Sequence, residues 1–344
     1  MRQILHVDCD CFFAAVEMRD QPKFQNIPMA IGGATDRRGV ISTCNYPARK
    51  YGVRSALATS QALKLCPNLI LLPGDMDKYK AVSKQVMDIL KQYAFSIEPV
   101  SIDEAFLELA PTSNAPLVAK QIRKHIESQL GITVSVGIAP NKFLAKVASD
   151  WRKPNGQFAI EPWDVDEFVA RLPIKRIPGV GPKGAQKLND IGIYTCGDIN
   201  KVDKESLIKR FGKFAQMLLL RAQGEDDRPV AVRGQRKSIS IERTFAQDIK
   251  APDDIQQALE NMWPTFLDRV EQAKLSRSQL SPFVKIKFSD FQVTTLANHH
   301  KTASMGDYKE LIAQAVLRAD KAIRLIGIGG RLIVGGDRQL SLFD

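Results

Sequence analysis

Two apolar stretches of this chain are each broken by carboxylates, and any fold it adopts must accommodate them. Asp8 lies in Val7-Asp8-Cys9-Asp10-Cys11-Phe12-Phe13, and Asp103 and Glu104 lie in Ser101-Ile102-Asp103-Glu104-Ala105-Phe106. Both frames read as strands, where a lone buried charge is costly unless it is paired or bound to a cation. Bringing Asp8, Asp103 and Glu104 together makes an all-oxygen pocket. Hard divalent ions such as Mg²⁺ favour that pocket, with substrate phosphates completing the shell. Two such ions side by side activate one oxygen and stabilise another during in-line phosphoryl transfer. The pattern points to a nucleotidyl-transfer site.

Local spacing supports the geometry. Ile4, His6, Asp8 and Asp10 share one face of a period-two strand, with Leu5, Val7 and Cys9 on the other. Asp103 and Glu104 are adjacent and would face opposite ways in a regular strand, so a turn or bulge is expected to make them converge. The apolar runs at 95–100 and 105–109 predict a hairpin with the acids near its bend.

Five motifs follow one another in order: VDCDCFFAAVE, STCNYPARKYGVRS, SIDEAF, VGIAPNKFLAKVASD and KPNG. Together they resemble the catalytic region of the Y-family, lesion-bypass DNA polymerases, the bacterial members in particular. The likeness runs from residue 4 to the final residues. It implies a multidomain α+β right-hand architecture. A ferredoxin-like palm would occupy residues 1–10 and 74–165, and small fingers 11–73. A helical thumb with a helix-hairpin-helix would take 166–228, then a linker 229–237, a β-α-β-β-α-β little finger domain 238–336 and a clamp-binding tail 337–344.

Periodicity predicts compatible elements. Helices are expected near 75–93 and 116–130 and from Asn141, with a strand at 132–137. Residues 166–228 read as mostly helical, and 228–237 as a charged tether. Beyond Ser238 the expected order is strand, helix 253–275, strands 283–289 and 292–298, helix 308–325, strand 331–334. That order is a split βαβ unit.

The resemblance also implies roles. Asp8, Asp103 and Glu104 would hold one Mg²⁺; Asp8, Asp103 and the Cys9 backbone carbonyl would hold a second. Glu104 falls near the primer hydroxyl, either as proton acceptor or only as a metal ligand. Thr43, Tyr46, Arg49 and Lys153 would contact the incoming triphosphate. Tyr46 and Arg49, spaced i, i+3, share a helical face, and a hydroxyl and a guanidinium fork suit phosphate oxygens. Arg37, Arg38, Lys50 and Arg54 add positive field. Phe13 would lie under the nucleotide sugar and exclude a 2′-hydroxyl, with Phe12 turned into the core.

Further along, Pro178-Gly179-Val180-Gly181-Pro182 allows close backbone approach at Gly179 and Gly181. Pro182 suits the first position of a helix whose free N–H groups meet a DNA phosphate. Lys183 and Lys187 extend that field, and the segment resembles a helix-hairpin-helix. At the end of the chain, Gln339-Leu340-Ser341-Leu342-Phe343 resembles the bacterial sliding-clamp-binding peptide, with Gln339, Leu340, Leu342 and Phe343 as its anchors.

Composition agrees with a DNA partner. Lys and Arg total 49 against 38 acids, a net charge of +11. The excess is spread as +4, +5 and +2 over residues 1–165, 166–236 and 237–344, as suits a long groove along a phosphate backbone. Asp8 and Asp10 interrupt any apolar leader, and no segment approaches the roughly 20 apolar residues that span a bilayer. Five cysteines form no C-x-x-C pair, and with four histidines no zinc spacing arises. A reduced, cytoplasmic, monomeric protein is expected. Its implied activity is template-directed addition of dNMP to a primer 3′ end from dNTPs, at low fidelity and without a 3′→5′ exonuclease. A nucleotide cyclase with a palm-like sheet would not need the hairpin turn or a further basic domain. A non-catalytic DNA-binding module would leave the apolar-framed acids unexplained.

Overall fold

The computed structural model describes residues 2–232, 234, 236–298 and 303–333. They form two compact units, one from residues up to 32 with those from 41 to 232, the other from residues 33–40 with those from 234 onward.

The first unit opens with β1 (Ile4–Cys9) and α1 (Phe12–Asp20). An insertion follows, made of β2 (Met29–Gly32), β3 (Ile41–Cys44), α2 (Tyr46–Lys50), α3 (Thr59–Leu65) and β4 (Ile70–Leu72), its strands paired in the order β3-β2-β4. Then come α4 (Met76–Leu90), β5 (Ser96–Pro99), β6 (Glu104–Glu108), α5 (Ala115–Leu130), β7 (Val134–Ala139), α6 (Lys142–Ser149) and β8 (Gln157–Ala159). The main sheet runs β5-β6-β1-β7-β8. Neighbours among its first four strands are antiparallel, so α4 and α5 cross over between the parallel pairs β1/β5 and β6/β7, the expected ferredoxin-like arrangement.

Helix starts are set locally. The Asn114 and Asn141 side chains each accept the N–H three residues on, from Leu117 and Leu144 at 3.0 Å, satisfying orphan donors of α5 and α6. Ala119, Ile122 and Ile126 make the buried stripe of α5, which packs with α4 on the sheet face carrying Leu5, Val7, Ala105 and Leu107. Ile4 and Phe106 face the other way and share a second core with α6 and the helices that follow. His6, Asp8 and Glu104 alternate onto this second face. The acids therefore look toward α6.

α7 (Val165–Arg171), α8 (Pro182–Asn189), α9 (Cys196–Ile199), α10 (Lys204–Phe211) and α11 (Lys213–Ala222) make the expected helical segment. The stretch after it is not wholly free, as a tether beginning at 228 would be. Ser96 Oγ donates to the Val230 carbonyl at 3.1 Å, Ala231 N–H to Glu98 at 3.1 Å, and Lys142 reaches the Pro229 carbonyl at 3.3 Å. Among the described residues of this charged run only Val230 is buried, and it anchors the run.

The second unit contains β9 (Ser238–Ile249), α12 (Pro252–Gln272), β10 (Leu280–Phe288), β11 (Val293–Ala297), α13 (Met305–Val316) and β12 (Ile323–Leu332), in the sheet order β11-β10-β12-β9, antiparallel throughout. β9 and β10 are parallel with β12 between them, so the split βαβ reading holds. Its final boundary does not. α13 stops at Val316, not 325, and β12 begins at Ile323, not 331. Gly327, Gly329 and Gly330 lie inside the strand, where neighbours fill the space a side chain needs. At Gly329 a Cβ would lie 2.4 Å from the Phe283 ring.

Candidate active site

β1 and β6 are antiparallel neighbours with Asp8 opposite Glu104. Asp103 sits in the bend just before β6, and its carbonyl accepts the Cys9 N–H at 2.9 Å. Ser101 Oγ donates to the Asp103 carboxylate at 2.5 Å. The bend that adjacency demanded is thus the 101–103 segment, and Asp103 lines one cleft with Asp8 and Cys9. The tightest donor set differs from the expected one. His6, Asp8 and Glu104 offer ligand atoms within 4.8 Å of one another.

Two ammonium groups face these acids. Lys153 Nζ lies 2.5 Å from Asp8 Oδ1, and Lys146 on α6 hydrogen-bonds Glu104 and lies 3.9 Å from Asp8 Oδ2. His6 is fully buried, with Nδ1 2.8 Å from Ser149 Oγ and Nε2 3.2 Å from Glu104 Oε2. Contacts from His6 and then Lys146 hold the Glu104 carboxyl at about 2, against its burial. Burial acts the other way on Asp8 and raises it despite Lys153. Burial also lowers His6, which is therefore neutral at pH 7. Lys153 is raised, the pull of Asp8 outweighing burial, so it stays an ammonium.

The remaining expected residues gather around the same cleft, about 170 Å³ in volume. Phe13, Thr43, Arg49 and Lys153 line it with the acids. Phe13 stacks on Tyr79, ring centroids 4.3 Å apart and 13° from parallel. Tyr79 is fully buried and donates to Glu17 at 2.7 Å. Phe12 is buried as expected, but because the two residues open a helix rather than alternate along a strand. Arg49 sits over the Tyr46 ring at 4.9 Å, and Tyr46 OH reaches Asp10 at 3.4 Å. The KPNG segment is a tight turn. Asn155 is left-handed, and at Gly156 a Cβ would collide with the Arg152 carbonyl at 1.8 Å.

The hairpin residues are placed apart from this cleft. Gly179 takes a φ of +94°, Gly181 caps α8, and Lys183 and Lys187 are exposed on that helix. Gln339, Leu340, Leu342 and Phe343 lie outside the described residues. His6, Lys146 and Asp10 are the residues to which the motifs gave no site role. A lysine on a helix and the second acid of a D-x-D carry no distinctive spacing signal.

Comparison with known proteins decides the family. Residues 7–150 match the impB/mucB/samB family, 236–342 its C-terminal domain, and 175–226 the thumb domain of DNA polymerase-iota. DNA polymerase IV of Ectopseudomonas mendocina is 46% identical over 352 residues, covering 99% of both chains, and that of Shewanella oneidensis is 49% identical over 95% of this chain and 93% of its own. The chain belongs to the Y-family DNA polymerases, in the polymerase IV group. Among solved structures, a Y-family polymerase chimera of Dbh and Dpo4 superposes with a TM-score of 0.87 at 29% identity, over 96% of this polymerase and 99% of the chimera. An insertion ternary complex of Dbh DNA polymerase gives a TM-score of 0.68, also at 29% identity over 96% and 99% of the two chains. The polymerase is a DNA-directed enzyme of the translesion type. Such enzymes are metal-dependent, and its acidic cluster lies where two strands converge. Among its described residues no helix is long and apolar enough to cross a membrane.

Proposed function

We propose that this polymerase extends a primer 3′ end on template DNA through two Mg²⁺ ions held by Asp8, Asp103, Glu104 and the Cys9 carbonyl. The observation that carries this reading is the Asp8–Glu104 register, with two lysine ammoniums already drawn to the paired acids. Carboxylates and a carbonyl are hard oxygen donors, so the residues fit the ion. When bound, the metals lower the pKa of the primer hydroxyl and neutralise the triphosphate and departing pyrophosphate.

The chain's own residues position the reactants. Arg49, Tyr46, Thr43 and Lys153 hold the triphosphate, and Lys153 leaves Asp8 to do so. Burial keeps the Tyr46 phenol protonated as a donor. The Phe13 ring, backed by Tyr79, supports the deoxyribose and excludes a 2′-hydroxyl. Glu104, opposite Asp8 and near the primer hydroxyl, serves in this reading as a metal ligand. Positioning and electrostatics carry the catalysis.

Gly179, Gly181, Lys183 and Lys187 grip DNA phosphates without reading sequence, and the tail at 337–344 docks on the sliding clamp. In this reading residues 1–10 and 74–165 are the palm, 11–73 the fingers, 166–228 the thumb and 238–336 the little finger. The bacterial relatives support a cytoplasmic setting.

Primer extension with and without Mg²⁺ tests the reading. Extension should require the ion and be abolished by Asp103→Ala, and undiminished extension by that variant sinks the metal assignment. A cyclase would convert nucleotides without a primer, and a binding module would convert none.

A further inference from the structure

Asp10 is the most completely satisfied charge near the cleft. The residue is 1% exposed, yet among the described residues no basic group forms an ion pair with it. It accepts from Thr133 Oγ1 at 2.8 Å, Ser135 Oγ at 2.8 Å, the Asn155 backbone N–H at 2.7 Å and Tyr46 OH at 3.4 Å. An ionised carboxylate offers about four acceptor sites, so these donors occupy its capacity. Asp10 also lies outside the close His6–Asp8–Glu104 group. A metal-ligand role would require it to abandon several of these bonds.

The four donors come from different parts of the fold. Thr133 and Ser135 lie on and just before β7, in the sheet. Asn155 lies two residues after Lys153, and Tyr46 begins α2 beside Arg49. Ser135 Oγ is also within 3.4 Å of the Gly156 N–H. From outside, Arg123 on α5 donates to the Asn155 carbonyl and, at 2.9 Å, to Asn155 Oδ1. The turn bearing Lys153 is therefore clamped between a buried carboxylate and a guanidinium.

We propose that Asp10 is a positioning residue for the incoming nucleotide, tying the Lys153 turn and Tyr46 to the catalytic sheet so that both meet the triphosphate in one preset geometry. The inference rests on the reading that Lys153 and Tyr46 bind the triphosphate. The longest of the four bonds, from Tyr46, is the one a phosphate oxygen most readily takes over. Removing Asp10 orphans the Asn155 N–H, which cannot rotate away as the hydroxyls can, and the turn must shift to satisfy it.

The test measures dNTP dissociation constants on primer-template ended by a dideoxynucleotide, alongside KM, kcat and DNA affinity. Asp10→Ala should weaken dNTP binding at least tenfold and raise KM in step, with kcat at saturation within about threefold and DNA affinity unchanged. Asp10→Asn should recover most of the loss, because an amide oxygen still faces Asn155 and its NH₂ can donate to the hydroxyls. Ser135→Ala perturbs the same turn by another route, with a smaller loss in the same direction, and carries the test if Asp10→Ala does not fold. A lowered kcat at unchanged dNTP affinity would overturn the proposal in favour of a metal ligand, as would unaltered affinity in both variants. Lys153→Ala separates the premises. If it leaves dNTP affinity intact, the triphosphate reading itself fails. If it weakens binding and Asp10→Ala does not, only the positioning role fails.

Discussion

The ammonium of Lys146 bonds directly to the Glu104 carboxylate and stands 3.9 Å from Asp8 Oδ2, so one side-chain cation spans both acidic strands. Unlike charges at this range are worth up to ~4 kcal/mol at an effective dielectric near 20, less where water screens them. A divalent ion bound by the same carboxylates competes with that contact. Lys146→Met should therefore bind Mn²⁺ several-fold more tightly, as read from the free-ion signal in electron paramagnetic resonance. Metal-free Lys146→Met should also unfold at a lower temperature. Equal Mn²⁺ affinity in the two proteins would show that the lysine does not compete.

The stacking of Phe13 on Tyr79 buttresses the ring proposed to face the sugar. Phe13→Ala should raise ribonucleotide use relative to deoxynucleotide use by orders of magnitude, since each ~1.4 kcal/mol of lost exclusion is tenfold in rate. Tyr79→Ala, which removes the support and leaves the ring, should relax selectivity less. Single-turnover insertion of paired rNTP and dNTP measures both. A folded Phe13→Ala enzyme with unaltered sugar preference would make the ring an ordinary core residue.

Asp226 offers a pH prediction. It is buried, and Arg228 and Arg221 approach it at 2.7 and 3.1 Å. Burial works to raise its carboxyl, but the two guanidinium groups win and hold it below the usual range. A lowered folded-state pKa gives stability that is present above the unfolded value, about 3.9, and is lost as pH falls toward the folded one. Asp226→Asn should cost about 3 kcal/mol at pH 7, and the gap should close below about pH 4. Urea midpoints across that range check the sign, and a gap that widens in acid refutes it.

The tail prediction is independent of the active site. Deleting residues 339–344 should abolish clamp-stimulated synthesis while sparing clamp-free insertion of a single nucleotide, because a tether acts through effective concentration. Undiminished clamp affinity in the truncated protein would remove these residues from that role.

Much of the site was legible because its acids stand in apolar frames. Asp8, Asp103 and Glu104 are conspicuous there, and the adjacency of the last two required the bend that Ser101 now anchors. Lys146 was not legible, since a lysine on an amphipathic helix looks the same whether it faces solvent or a carboxylate. Asp10 was read as one more acid on the strand face, although the chain turns before reaching it and its partners are some 120 and 145 residues away in sequence. The α13–β12 boundary failed for a related reason. Glycine at 327, 329 and 330 signals a break locally, and only the packing of Phe283 and Ser240 explains it as part of a strand.

Both units thread strands and helices in the same β-α-β-β-α-β order, yet they do not place them alike. In the first unit β8 extends the sheet beyond β7, so the inner strands are β6, β1 and β7, the third, first and fourth of the four. In the second they are β10 and β12, the second and fourth. Each strand carries the burial pattern of its own place in the sheet, so grafting segments from one unit onto the other would bury edges meant for water.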